Sequence, residues 1–109
     1  MILMLYDGAI RFTRLGIEGI EQRDFGKTNT NLIKAQKIVH ELSASLDFNY
    51  EISKNLAAIY EYMMHQLIEA NIRKDVGPAK EVLDHLMDLK STWTTAIRSN
   101  APSSSVQQI

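Results

Sequence analysis

From Met1 to Gly77 the chain contains no proline, and along that span its apolar residues recur at helical spacing. Proline inside a helix breaks or kinks it. A long proline-free stretch with a 3.6-residue apolar period therefore predicts helices and little else. The two prolines are Pro78, directly after Gly77, and Pro102 near the C-terminus. The supply of Leu, Ala, Ile, Glu, Lys, Met and Gln agrees with that reading.

The first predicted helix runs from about Ile2 to Gln22. On a helical wheel Ile2, Ala9 and Gly16 share a line, flanked by Leu5, Phe12 and Gly19 on one side and by Tyr6, Thr13 and Ile20 on the other. Leu3, Ile10 and Ile17 form a further apolar line about 100° round. Only Asp7, Arg11, Arg14, Glu18 and Glu21 make a polar arc. The apolar face spans roughly 200°, more than one bundle seam uses. Asp7-Gly8 is a turn signal in isolation. Here the period continues on both sides, Asp7 falls on the polar arc, and Gly8 lies at the edge of the apolar arc. Gly in a helix costs about 1 kcal/mol relative to Ala, so a contact reason is expected. Gly8, Ala9, Gly16 and Gly19 give this helix a low relief that lets another helix lie close.

"RDFGKTNTN" (23–31) reads as the first break. The second helix is predicted from Asn29 or Thr30 to Leu46, capped by Thr30 or Asn31, with Leu32, Ala35, Val39, Leu42 and Leu46 on one stripe. After "DFNYE" the third helix runs from about Glu51 to Lys74. Ile52, Leu56, Ile59, Met63 and Ala70 line one face, and Ala57, Met64, Ile68 and Asn71 add a shoulder. "KDVGP" (74–78) reads as the third break. The fourth helix, about Ala79 to Ser99, turns Val82, Leu86, Leu89 and Trp93 inward. Short links favour antiparallel neighbours, so residues 1–99 are expected to form an all-α, up-down four-helix bundle. Residues 100–109, rich in Ser and Gln, are expected to be a flexible, disordered tail.

Composition narrows the function. With 12 basic and 13 acidic residues the formal net charge is −1, which gives no electrostatic reason to expect nucleic acid or an anionic membrane. Cysteine is absent, so thiolate metal sites and Cys nucleophiles are excluded. No apolar run reaches the ~20 residues of a membrane span, and the N-terminus lacks the features of a secretory signal; a cytoplasmic location is expected. His40, His65 and His85 fall on three different helices without the Glu-x-x-His spacing of di-iron bundles. They read as surface histidines, with no metal or other cofactor expected. No phosphate loop, HExxH or serine elbow is present, and an enzyme is not expected.

"MLYDGAIRF", "NLIKAQKIVHELSASLD", "EISKNLAAIYEYMMHQLIEANIRKD" and "EVLDHLMDLKSTW", in this order and spacing, resemble the FliS family of flagellar export chaperones over Leu3 to Trp93. The resemblance implies an antiparallel four-helix bundle in the bacterial cytoplasm, without catalysis or cofactor. It also implies binding of the disordered C-terminal region of flagellin, which prevents premature polymerisation and supports export by the flagellar type III system. Family members carry an N-terminal arm before "MLYDG". Its absence here leads to the expectation that apolar surface is left uncovered and that the free chain self-associates. The surplus apolar faces would form the groove for the flagellin tail. Leu3, Ile10 and Ile17 of the first helix and Ala57, Met64, Ile68 and Asn71 of the third are its expected partner-binding residues. For each, packing against a neighbouring helix is the competing reading. The same groove would equally serve a regulatory adaptor that binds another helical partner.

Overall fold

The computed structural model describes residues 2–99, so the predicted tail lies outside the described residues. Four helices follow in order: α1 (Ile2–Glu21), α2 (Phe25–Ala44), α3 (Ile52–Arg73) and α4 (Val76–Ser99). They form an antiparallel up-down bundle. Each helix packs on its neighbour in sequence, and α4 closes the ring against α1. Gly8 faces Ile38 while Gly19 faces Thr28, and Asp7 meets Lys90 while Glu21 meets Lys80; these pairs fix both antiparallel directions around α1.

Two helix starts differ from the sequence reading. α2 begins at Phe25, about one turn before the predicted Asn29 or Thr30. Its cap is Asp24, whose carboxylate accepts from the Lys27 N–H at 3.1 Å. Asn31 instead lies within the helix and donates its amide to the Lys27 carbonyl at 2.8 Å. The reversal needs only Gln22 to Asp24, because Arg23 takes the left-handed conformation at φ 56°. Similarly, α4 begins at Val76, ahead of the Gly77-Pro78 pair that reads as a break. Asp75 Oδ1 accepts from the Gly77 N–H at 2.9 Å, and a proline in the first turn loses no intrahelical bond, since those N–H groups have no partner there.

The interface between α1 and α2 is the most extensive of the four, and the glycines explain it. A Cβ at Gly16 would collide with the Leu32 side chain. At Gly19 it would stand 2.6 Å from Thr28 Oγ1, 2.7 Å from Thr28 N and 3.0 Å from the Asp24 carbonyl oxygen. The first turn of α2 thus lies directly on α1. Asp7-Gly8 is continuous helix, and the close neighbour that the low relief admits is α2.

Among the described residues the core is mostly apolar, with Thr13, Thr28 and Ser53 also buried, and its long-range polar contact joins three helices. Tyr6 of α1 and Tyr60 of α3, both enclosed, share a 2.6 Å hydrogen bond between their hydroxyls. The indole N–H of Trp93 on α4 donates to the Tyr6 hydroxyl at 3.2 Å. Burial is the main cause that pushes both tyrosine pKa values above the ordinary 10.0.

Two outcomes follow for stability. Gly19→Ala is expected to lower unfolding free energy by about 1–3 kcal/mol in urea titrations, despite the better helix propensity of Ala, because the atoms it meets include backbone that cannot give way. Gly8→Ala meets only the end of the Ile38 side chain, and it should stay within about 1 kcal/mol of the parent. The tyrosines set an alkaline limit. Unfolded tyrosine ionises near pH 10, whereas buried Tyr6 and Tyr60 stay protonated above it, so the folded chain holds more protons there. Stability should fall as pH rises through about 10, by up to ~1.4 kcal/mol per pH unit for each group. Tyr6→Phe should flatten that decline.

Candidate functional site

The seams between helices differ in how they are covered. Over the α1/α4 seam, Lys90 pairs with Asp7 at 2.6 Å, Lys80 lies 4.0 Å from Glu21, and Arg14 Nη2 contacts Met87 Sδ at 3.6 Å. Beneath this polar cover Ile10 and Ile17 are each 7% exposed and belong to the core. Leu3, on the same line of α1, is half-buried near the helix start. The hollow beside Ile17, about 390 Å³, has Ile17 and Leu83 in its wall together with the charged residues Arg14, Glu18, Glu21, Lys80 and Asp84.

The α2/α3 seam is open. A groove of about 560 Å³ runs along it, with Val39, His40 and Ser43 on the α2 side. Its α3 side includes Ala57, Tyr60, Glu61, Met64, His65 and Ile68. Three of the expected residues, Ala57, Met64 and Ile68, therefore meet in one groove, because positions i, i+7 and i+11 share a helix face. Ile68 is exposed, and Ala57 and Met64 are half-buried. His40 and His65 stand at the rim, both exposed. Asn71 sits one turn beyond Ile68. Its amide N–H donates to Asn29 Oδ1 at 2.9 Å, and its carbonyl oxygen accepts from Lys74 Nζ at 2.7 Å. Both ends of this side chain are engaged within the protein, tying α3 to α2 where the groove ends. The expected residues of α1 and those of α3 thus lie on different seams and do not form one site.

A second groove was not foreseen. Between the start of α3 and the end of α4 lies a hollow of about 280 Å³ walled by Ile52, Leu56, Ile59, Leu89, Trp93 and Ala96. Asn55 and Thr92 are its only polar lining residues. Ile52 and Ile59 read as core positions in sequence, yet Ile52 is 57% exposed and Ile59 half-buried. The signal that could have found this groove is the width of the α3 apolar arc, which exceeds what one neighbour can cover.

Toward the other end of the same seam the contact turns polar. Glu81 accepts from the Tyr62 hydroxyl and from the Gln66 amide, each at 2.8 Å. His85 stands 3.8 Å from the same carboxylate and edge-on to the Tyr62 ring. The bond from Tyr62 is the leading cause that lowers the Glu81 pKa, and the same bond raises that of Tyr62. Among the described residues no three His, Cys, Asp or Glu side chains converge to hold a metal ion. None of the described helices is long and apolar enough to cross a membrane. What the surface offers is two grooves flanking α3. The α3/α4 groove is walled almost wholly by apolar residues, and the α2/α3 groove sets Ala57, Met64 and Ile68 among His40, Ser43, Glu61 and His65. Both have room for apolar side chains of a partner.

Comparison with known proteins points the same way. The family described as "Flagellar protein FliS" matches residues 1–100. The flagellar secretion chaperone FliS of Bacillus subtilis (strain 168) is 42% identical over 99 residues, covering 91% of this chain and 74% of that protein. Its counterpart in Escherichia coli (strain K12) is 31% identical over 103 residues, covering 91% and 75%. FliSB of Pseudomonas aeruginosa is 30% identical over 95 residues, covering 85% and 75%. With a family match along nearly its whole length and a relative that is 42% identical, this four-helix chain belongs to the FliS family of flagellar secretion chaperones.

Proposed function

We propose that this protein is a cytoplasmic chaperone for flagellin. It binds the disordered C-terminal region of the newly made subunit, keeps it from polymerising, and supports its delivery to the flagellar type III export system. The observation that carries this reading is the pair of grooves on either side of α3, each presenting apolar side chains. A folded partner would meet one face of the bundle. A disordered segment can lay apolar residues into both grooves and wrap the helix between them, and its ordering cost calls for a large contact surface. Ala57, Met64 and Ile68 would take apolar side chains of that segment in the α2/α3 groove. Ile10 and Ile17 would support the bundle from within, and Asn71 would hold the end of the groove in register.

Titration calorimetry with the C-terminal region of flagellin from the same organism tests this reading. The expected result is saturable binding with a negative heat-capacity change and a gain in helix by circular dichroism. Ile68→Glu places a charge on the exposed part of the groove wall, and Met64→Glu places one on its half-buried part, where the side chain also packs against the core. Each is expected to weaken binding by about tenfold or more, a loss of ~1.4 kcal/mol or greater, with helicity unchanged. Failure of the parent chain to bind would sink the proposal. Unfolding of either variant would assign that residue to the core.

A further inference from the structure

Tyr60 belongs to two features of the fold at once. It is among the residues that line the α2/α3 groove although only 1% exposed, so it lies as the floor beneath it, while its hydroxyl meets Tyr6 in the core. Trp93 is placed likewise on the other side. It forms a wall of the α3/α4 groove, and its indole N–H donates to Tyr6. Tyr6 is fully buried and contributes to neither groove. Three side chains from α3, α1 and α4 therefore make one hydrogen-bonded path from groove to groove.

We propose that the Tyr60–Tyr6–Trp93 chain couples the two grooves, so that filling the α2/α3 groove re-sets Trp93 in the wall of the α3/α4 groove. A hydroxyl–hydroxyl bond of 2.6 Å sits at the short end of the usual range and tolerates little displacement. A buried hydroxyl that loses its partner pays its full desolvation cost, so Tyr6 follows Tyr60 when Tyr60 is pressed from the groove. The Tyr6 oxygen also accepts from the indole, and linked hydrogen bonds polarise one another. Trp93 is the half-buried member of the three and has room to respond, whereas Tyr6 and Tyr60 are enclosed. The Thr92 hydroxyl, also in that wall, donates to the Asp88 carbonyl and does not join the path. Coupling of this kind is reciprocal, so occupation of the α3/α4 groove acts back on the α2/α3 groove by the same factor.

The chain has one tryptophan and no cysteine, which makes the coupling directly readable. Ser43→Cys puts a single thiol on the α2 wall of the first groove. Capping it with hexyl methanethiosulfonate fills that groove, and capping with the methyl reagent is the control. The readouts are the emission maximum of Trp93 and its indole N–H cross-peak in a proton–nitrogen correlation spectrum. The expected result is a shift of both on hexyl capping, and loss of that shift when Tyr60→Phe is added, since this change keeps the ring and removes the hydroxyl. Tyr6→Phe cuts the path at its middle and serves as the second break if Tyr60→Phe lowers stability too far. No shift in the Ser43→Cys chain, or an equal shift with the path cut, overturns the proposal. No flagellin is present, so the outcome is independent of the chaperone reading.

Discussion

The close contact between α1 and α2 sets the asymmetry of the bundle. Small residues on α1 let α2 settle onto its backbone, with Leu32 against Gly16 and Thr28 against Gly19. This one interface absorbs much of the apolar surface that makes α1 unusually wide. The ion pairs and polar contacts over the α1/α4 seam then cover Ile10 and Ile17. What remains of the apolar surface of α1 is Met4, which is exposed, and half-buried residues such as Leu3, Leu5 and Phe12. The smallest of the four interfaces lies between α3 and α4, and α3 carries Leu, Met, Ile and Tyr where α1 carries Gly and Ala. Larger side chains hold helices further apart. The grooves flanking α3 are the counterpart of the tight packing on α1.

The four-helix architecture was legible because apolar period and chain breaks agree along the whole described length. Helix ends were less legible. "RDFGKTNTN" is full of residues that favour turns, yet most of it is helical: Asp24 caps it early, and Thr28 is drawn into the first turn by packing against Gly19. Gly77 and Pro78 punctuate the sequence as a break, but in the first turn of a helix their usual cost is nearly absent. In both places a local propensity yields to a specific capping or tertiary contact.

The candidate site was half legible for a different reason. A helical wheel shows that a face is apolar, but not whether a neighbour covers it. Ile17 and Ile68 look alike in sequence. One is 7% exposed beneath charged residues of α1 and α4, and the other is 39% exposed beside a groove. Asn71 looked available to a partner, and only the fold shows its side chain engaged with Asn29 and Lys74. The hydroxyl chain was wholly illegible, because Tyr6, Tyr60 and Trp93 are separated by 54 and 87 positions along the pairs that touch.

That chain also bears on how a helical bundle can receive a disordered segment without losing its own order. A purely apolar core would let α3 rotate or slide at small cost when its grooves fill, since apolar contacts are non-directional. A buried polar contact adds direction. The Tyr6–Tyr60 bond pins one rotation of α3 relative to α1, and Trp93 ties α4 to the same point. Any slide that breaks these bonds leaves buried polar groups unpaired, at about 1–3 kcal/mol each. The seam with the smallest interface, α3/α4, thus has both of its helices tied to Tyr6 of α1 by directional contacts, while the groove at its other edge stays open. Such an arrangement keeps the grooves in shape before a partner arrives, and so lowers the ordering cost that binding has to meet.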